Sequence, residues 1–298
     1  MPTGIPNGKA ALTTLAALAL SGGCVTTIAS QPIEGAFERT LAVGSDTLHL
    51  DVSTGSGRIE VSAGEPGTAR VIGRIRGRAG GWSGGNPAEV EARVRAIEGD
   101  PPVSLDGDDL RVGHLDRSLR RRISISYEVV VPPNSTVHAR TGSGALRVEG
   151  VAGAVDARSG SGRTRVADVG GDVTARTGSG SIEIDAVGGD VNARTGSGSI
   201  RIDGIDAALR ARTGSGGIRV TGSPGSGWDL DTGSGSIGVD LPDDAAFEVD
   251  ARTGSGSVRS DHPVTMDGEA RRGRLRGTVR GGGPRVTLRT GSGGITID

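Results

Sequence analysis

Thr-Gly-Ser-Gly begins at Thr54, Thr141, Thr177, Thr195, Thr213, Thr232, Thr253 and Thr290, and a variant, Ser-Gly-Ser-Gly, begins at Ser159. From residue 141 to residue 213 the step is 18 residues each time. It then loosens to 19 and 21, and the last gap, 37, reads as two steps with one degraded copy between. A disordered glycine-rich tract has no reason to keep such phase. The 54 glycines of this 298-residue chain therefore point to a repeat fold rather than to low-complexity disorder.

Aligning the copies assigns a job to each position. Before the turn one column reads Val137, Val155, Val173, Val191, Leu209, Trp228, Val249 and Val286. Two residues on, the next reads Ala139, Ala157, Ala175, Ala193, Ala211, Leu230, Ala251 and Leu288. After the turn come Leu146, Thr164, Ile182, Ile200, Ile218, Ile237, Val258 and Ile295, then Val148, Val166, Ile184, Ile202, Val220, Val239, Ser260 and Ile297. Apolar positions spaced by two are a strand signal. Each repeat thus reads strand, Thr-Gly-Ser-Gly corner, strand, second corner. One repeat cannot bury its own apolar face, but parallel stacking gives continuous ladders of Val, Ala and Ile. The expected fold is all-β, a parallel β-solenoid (β-helix) of about 18-residue repeats over residues 137–298, a rod of roughly 40 Å at ~4.8 Å per coil. The narrow alanine column also accounts for the 2% aromatic content. The alternative is an antiparallel β-meander or sandwich with Thr-Gly-Ser-Gly as hairpin loops, which gives no reason for the 18-residue identity.

Residues 36–136 are expected to form an irregular, β-rich N-terminal capping region containing one short helix. Leu48, Leu50 and Val52 alternate before the isolated copy at Thr54, and Ile59 and Val61 alternate after it. Residues 71–75 and 123–131 read as strands, the second ended by Pro132 and Pro133, and residues 79–86 as a glycine-rich loop. Asn86 and Pro87 supply an N-cap and a first-turn proline for a helix over 88–98, with Gly99 and Pro101 as stops. A solenoid end needs such a cover, because open strand edges invite aggregation.

Ahead of all this, Lys9 and the apolar run 10–20 read as a signal peptide of the lipoprotein type, residues 1–23, followed by a linker, residues 24–35. Cys24, the chain's single cysteine, closes Leu20-Ser21-Gly22-Gly23-Cys24, which resembles the lipobox of bacterial lipoproteins. Ser21 holds the place three before the cysteine where an aliphatic residue is usual, so ordinary signal cleavage is the alternative. The lipobox resemblance implies export, lipidation at Cys24 and a membrane partner through that anchor. Val25 in place of a retaining aspartate implies an outer-membrane lipoprotein facing periplasm or surface. With Cys24 committed, the ordered region has no disulfide and no cysteine-based metal site.

The chain also resembles a family of bacterial envelope proteins known as "putative adhesins", of unknown function. The likeness rests on Phe37-Glu38-Arg39-Thr40-Leu41 leading into Ser53-Thr54-Gly55-Ser56-Gly57, on Val129-Val130-Val131-Pro132 before the repeats, and on Gly281-Gly282-Gly283-Pro284 before the last copy. It spans roughly residues 36–298 and implies fold and envelope location, not a mechanism.

Motifs for chemistry are absent. A phosphate loop needs Gly-Lys-Ser/Thr running into a helix, whereas a strand follows each corner here. Calcium-binding rolls carry an aspartate in their turns; Asp172 and Asp190 follow Gly-Gly, but Ala154 and Ala208 break the series. Glycoside hydrolysis needs two singular carboxylates, whereas Glu149, Asp185, Asp203, Asp240, Asp261 and Asp298 form a column. His49, His114, His138 and His262 have no metal-ligand spacing. No cofactor and no catalytic residue is assigned. With 34 basic and 35 acidic residues, a net charge of −1, the chain lacks the basic excess of a nucleic-acid binder.

The exposed feature that stands out is a ladder. Arg140, Arg158, Arg176, Arg194, Arg212, Arg252 and Arg289 each precede a corner, and alternation turns them outward. A second outward column holds Arg147, Arg165, Arg201, Arg219 and Arg259. The bland reading is a solvated face whose charge the nearby acidic column compensates. The sharper one is a candidate ligand surface for anionic envelope polysaccharide, since guanidinium forks suit carboxylates. The expected function is a non-catalytic, lipid-anchored binding or adhesion module. The alternative is a structural or assembly scaffold pairing with other envelope proteins, and a polysaccharide-acting enzyme has the least support. If Cys24 is acylated, the protein labels with palmitate and partitions into detergent, and Cys24→Ala abolishes both; soluble protein cut elsewhere than before Cys24 contradicts it.

Overall fold

The computed structural model describes residues 32–79, 86–267 and 273–298. The expected signal peptide, Cys24, the linker up to residue 31 and residues 80–85 of the glycine-rich loop lie outside the described residues. The chain opens with β1 (Ile33–Ala42), β2 (His49–Ser56), β3 (Ile59–Ala63) and β4 (Thr68–Gly77). Helix α1 (Pro87–Gly99), β5 (Val103–Asp106), β6 (Asp109–Val112), the short α2 (Arg117–Arg120) and β7 (Ile123–Val131) follow. The Asn86 side chain accepts a 3.0 Å hydrogen bond from the Ala88 amide, so the helix starts where its cap dictates.

From there the strands come as pairs, one before and one after each corner. The pairs are β8 (Thr136–Ser143) with β9 (Leu146–Glu149), β10 (Val155–Ser161) with β11 (Thr164–Val169), and β12 (Val173–Ser179) with β13 (Ile182–Val187). Next come β14 (Val191–Ser197) with β15 (Ile200–Ile205), β16 (Leu209–Ser215) with β17 (Ile218–Gly222), and β18 (Trp228–Ser234) with β19 (Ile237–Asp240). After β20 (Phe247–Ser255) and β21 (Val258–Ser260) come the separate strands β22 (Val264–Met266) and β23 (Arg274–Val279). The last pair is β24 (Arg285–Ser292) with β25 (Ile295–Ile297).

Pre-corner strands build a 13-stranded sheet and post-corner strands a 12-stranded one. Coil pairing is parallel and in the register the columns predict: Val155 lies opposite Val173, Val173 opposite Val191, and Ile182 opposite Ile200. The parallel solenoid is therefore the fold, and the meander is not. Val, Ala and Ile ladders from both sheets meet between them, with Val173, Ala175, Ile182 and Ile200 at most 1% exposed. The isolated copy at Thr54 is also a coil, since β2 pairs in parallel with β8 and β3 with β9.

The C-terminal end departs from the expected order. Among the described residues no degraded coil fills the 37-residue gap between the last two copies. Instead β24 inserts between β18 and β20, and β22 and β23 lie antiparallel on the outer side of β20. Residues 261–284 contain no Thr-Gly-Ser-Gly corner, so they cannot stack as a coil; antiparallel pairing closes the edge instead. At the other end β7 pairs with β3, and antiparallel β4 and β1 extend the sheet beyond it. Phe37, Gly73 and Tyr127 face inward there in one cross-strand row. Helix α1 covers the same inner face further out, with Val90 against Gly77 and Val94 against Gly35.

The corners explain the repeat. In Gly198, φ is +148°, and a Cβ there would lie 2.1 Å from the carbonyl oxygen of Gly180 in the preceding coil. The buried Thr195 hydroxyl donates a 3.0 Å hydrogen bond to that same Gly180 oxygen. Thr141, Thr213, Thr232, Thr253 and Thr290 repeat the bond to the glycine of their own neighbouring coil. A threonine that satisfies a buried carbonyl and a glycine that lets the coils approach are thus two halves of one contact. By contrast, a Cβ at Gly55 in the first coil meets nothing within 4 Å. Gly198→Ala is expected to cost roughly 1–3 kcal/mol, and Gly55→Ala to stay within about 0.5 kcal/mol, in denaturant unfolding of the two variants. Equal losses would remove the inter-coil contact as the reason for the motif.

Candidate functional site: an arginine ladder with a gap in its compensation

The ladder lies on the outer face of the pre-corner sheet. Its register runs Arg140, Arg158, Arg176, Arg194, Arg212, Asp231, Arg289 and Arg252, each opposite the next. The insertion of β24 brings Arg289 beside Asp231 and places Arg252 outermost of the seven, an order the chain order does not give. All seven arginines stand in one row along the rod.

Their compensation comes from a different set of acids than the sequence suggests. The acidic column of Glu149, Asp185, Asp203 and Asp240 is on the post-corner sheet, around the corner from the ladder. Within the ladder's own sheet, a second outward row stands two residues earlier: Asp51, His138, Asp156, Thr174, Asn192, Arg210, Asp229, Thr287 and Asp250. Asp156 accepts from Arg158 at 2.7 Å, and Asp250 accepts both prongs of Arg252 at 2.8 and 2.7 Å. Asp229 takes Arg212 at 3.0 Å and lies 3.7 Å from Arg289, while Arg140 is 3.7 Å from Asp51. Such exposed pairs contribute at most about 1 kcal/mol each, but they neutralise charge locally.

Arg176 and Arg194 are different. The positions that would hold their acids are Thr174 and Asn192, both neutral. Neither guanidinium has an ion pair or hydrogen bond among the described residues, and both side chains are exposed. The same holds for Arg201 and Arg219 on the post-corner sheet, so Arg194 and Arg201 flank one corner as two uncompensated cations. Beside Arg176 and Arg194 runs an open polar groove of about 580 Å³, lined by Thr174, Asn192, Arg210 and Asp229 among others. The sequence held part of the signal: Asp156 and Asp250 stand two places before the paired Arg158 and Arg252, whereas Arg140, Arg212 and Arg289 take their acids from a neighbouring coil.

The other sequence candidates take structural places. Asp172 accepts from the Asp190 amide at 2.9 Å and Asp190 from the Ala208 amide at 3.1 Å, so each caps the next coil. His262 is buried edge-on to Phe247, with Nε2 3.2 Å from the Asp298 carbonyl oxygen. His114 and His138 lie 3.8 Å from Asp51 and Asp156 in the charged row, and His49 is exposed at the start of β2. Among the described residues no group of three His, Cys, Asp or Glu is placed to hold a metal ion, and no helix is long and apolar enough to cross a membrane. The ladder presents fixed cations at strand spacing; it brings together no nucleophile, base and acid.

Fold and surface together define a two-sheet parallel β-solenoid with a charged outer face. Residues 112–298 match the family model Toastrack DUF4097, and the chain belongs to that family. No curated protein is similar to it in sequence. Among solved structures, a "putative adhesin" of Bacteroides fragilis NCTC 9343 aligns over 89% of this chain and 97% of its own, at 11% identity and a TM-score of 0.43. A "putative cell adhesion protein" of Clostridium sporogenes ATCC 15579 aligns over 88% and 99%, at 11% identity and a TM-score of 0.21.

Proposed function

We propose that this chain is a non-catalytic binding or adhesion module of the bacterial cell envelope. It is exported and anchored through a lipid at Cys24, and its pre-corner sheet engages an anionic envelope polysaccharide. The observation that carries the reading is the gap at Thr174 and Asn192, which leaves Arg176 and Arg194 as adjacent cations with no acid partner. Stacked like charges repel, so two neighbouring unpaired arginines weaken the rod slightly unless an outside anion joins them. A polymer with a carboxylate on each sugar meets that requirement, because weak contacts repeated along a rigid row add up. The described residues leave Met266 as the exposed large apolar side chain, which favours charge over aromatic stacking as the means of recognition. Antiparallel strands close both ends of the pre-corner sheet, which favours this reading over a scaffold that grows end to end.

The test is binding of polygalacturonate at low salt. Affinity is expected to fall steeply as added salt shortens the Debye length toward ~8 Å. Arg176→Gln combined with Arg194→Gln is expected to weaken binding about tenfold with an unchanged melting temperature. Arg252→Gln, whose guanidinium is already committed to Asp250, changes binding little. No binding at low salt, or a double variant that binds like the unmutated protein, rules the surface out.

A further inference from the structure

A second cavity lies where the first coil meets the N-terminal region. It has a volume of about 420 Å³, within the range of small-ligand sites. Leu115, Ile123 and Ile125 give it an apolar wall, and Arg120, Arg140 and Ser53 stand among its polar groups. Its charged residues are both arginines; the groove beside Asn192, by contrast, also carries Asp172, Asp190 and Asp229. The Arg120 Nε donates a 2.7 Å hydrogen bond to the Leu115 carbonyl oxygen, which holds that side chain in place and leaves its terminal N–H groups available.

Tyr127 is the telling member. It lines the cavity, and although the residue is only 2% exposed its hydroxyl is not sealed off and has no protein hydrogen-bond partner among the described residues. A tyrosine hydroxyl placed this way is met by water or by a ligand in the cavity. The ring's Cε2, next to the hydroxyl-bearing carbon, would lie 3.1 Å from a Cβ on Gly113, another cavity residue with φ of +84°. The hydroxyl end therefore points to the cavity rather than to Phe37, whose ring centroid is 6.3 Å from that of Tyr127. Burial pushes the Tyr127 phenol up, and the Arg120 guanidinium pulls it the other way, so the phenol stays protonated beside a fixed cation.

We infer that this cavity binds a carboxylate-bearing molecule the size of one sugar acid. Arg120 holds the carboxylate, Arg140 turns to it from its loose 3.7 Å contact with Asp51, and the Tyr127 hydroxyl completes its hydrogen bonding on the ligand. The cavity shares only Arg140 with the ladder, so the inference goes beyond the polysaccharide reading and can fail without it. Sugar acids occur free or as the end of an acidic polymer, and the carboxylate chemistry is common to both.

Tyr127 is the chain's single tyrosine, so its ring resonance reports binding directly in the full-length protein. Glucuronate is expected to shift that resonance saturably, and glucose at the same concentration to leave it unmoved. By calorimetry, Tyr127→Phe is expected to weaken glucuronate about tenfold while the melting temperature holds, since that hydroxyl has no protein partner to lose. Arg120→Gln also weakens it, and the Arg176→Gln, Arg194→Gln pair leaves it unchanged. A glucuronate tetramer that competes as well as the monomer assigns the cavity to a polymer end; one that does not assigns it to free acids. No glucuronate binding, equal binding of glucose, or a clear drop in melting temperature for Tyr127→Phe overturns the inference.

Discussion

Each coil of the rod rests on the previous one through a Thr-Gly-Ser-Gly corner, where the carbonyl oxygen of one glycine sits in the space a side chain would need in the next. At Gly198 that gap is 2.1 Å to a hypothetical Cβ, and the hydroxyl of Thr195 reaches the same oxygen. The contact sets which residues can turn the chain, and through the turn it sets the register of both flanking strands. In-register strands then bring Val over Val and Ile over Ile, so the core follows from the corner. Where the corner is missing, β22 and β23 pair antiparallel and the stack ends.

A strict register has an electrostatic cost, because it stacks identical charges as faithfully as identical aliphatics. The rod deals with this by varying the position two residues earlier in each coil, and by Asp231 within the ladder itself. Asp51, Asp156, Asp229 and Asp250 pair with ladder arginines, whereas Thr174 and Asn192, in the same row, carry no charge. Surface pairs of this kind add little to stability, so their placement bears more on where positive charge remains available than on how firmly the protein folds. That unpaired stretch lies in the middle of the stack, where a long polymer has coils to run along in both directions.

The N-terminal region solves a different problem. Strands β7, β4 and β1 carry the post-corner sheet past the first coil, whereas the pre-corner sheet ends with β6 and β5. Helix α1 covers part of the inner face left over, and beside the first corner, along Ser53 to Ser56, Tyr127 and Arg120 come together. A cavity arises there because the two sheets stop at different places, which no repeat within the stack allows.

Much of this was legible in the residues. The 18-residue phase and the period-two columns determined a parallel solenoid with Val, Ala and Ile inside, because side-chain alternation and glycine sterics are local properties that repeat with the sequence. The helix cap at Asn86 and the strand at 123–131 were legible for the same reason. Tertiary structure alone decided that β24 inserts between β18 and β20, since edge pairing depends on which neighbour is free and not on chain order. It alone decided which acids face the ladder, because the column that looked close in sequence lies around a corner in space. It also decided the meeting of Tyr127, Arg120 and Arg140. Those residues come from β7, α2 and β8, and no spacing rule connects a lone tyrosine to an arginine when packing between unequal sheets is what brings them together.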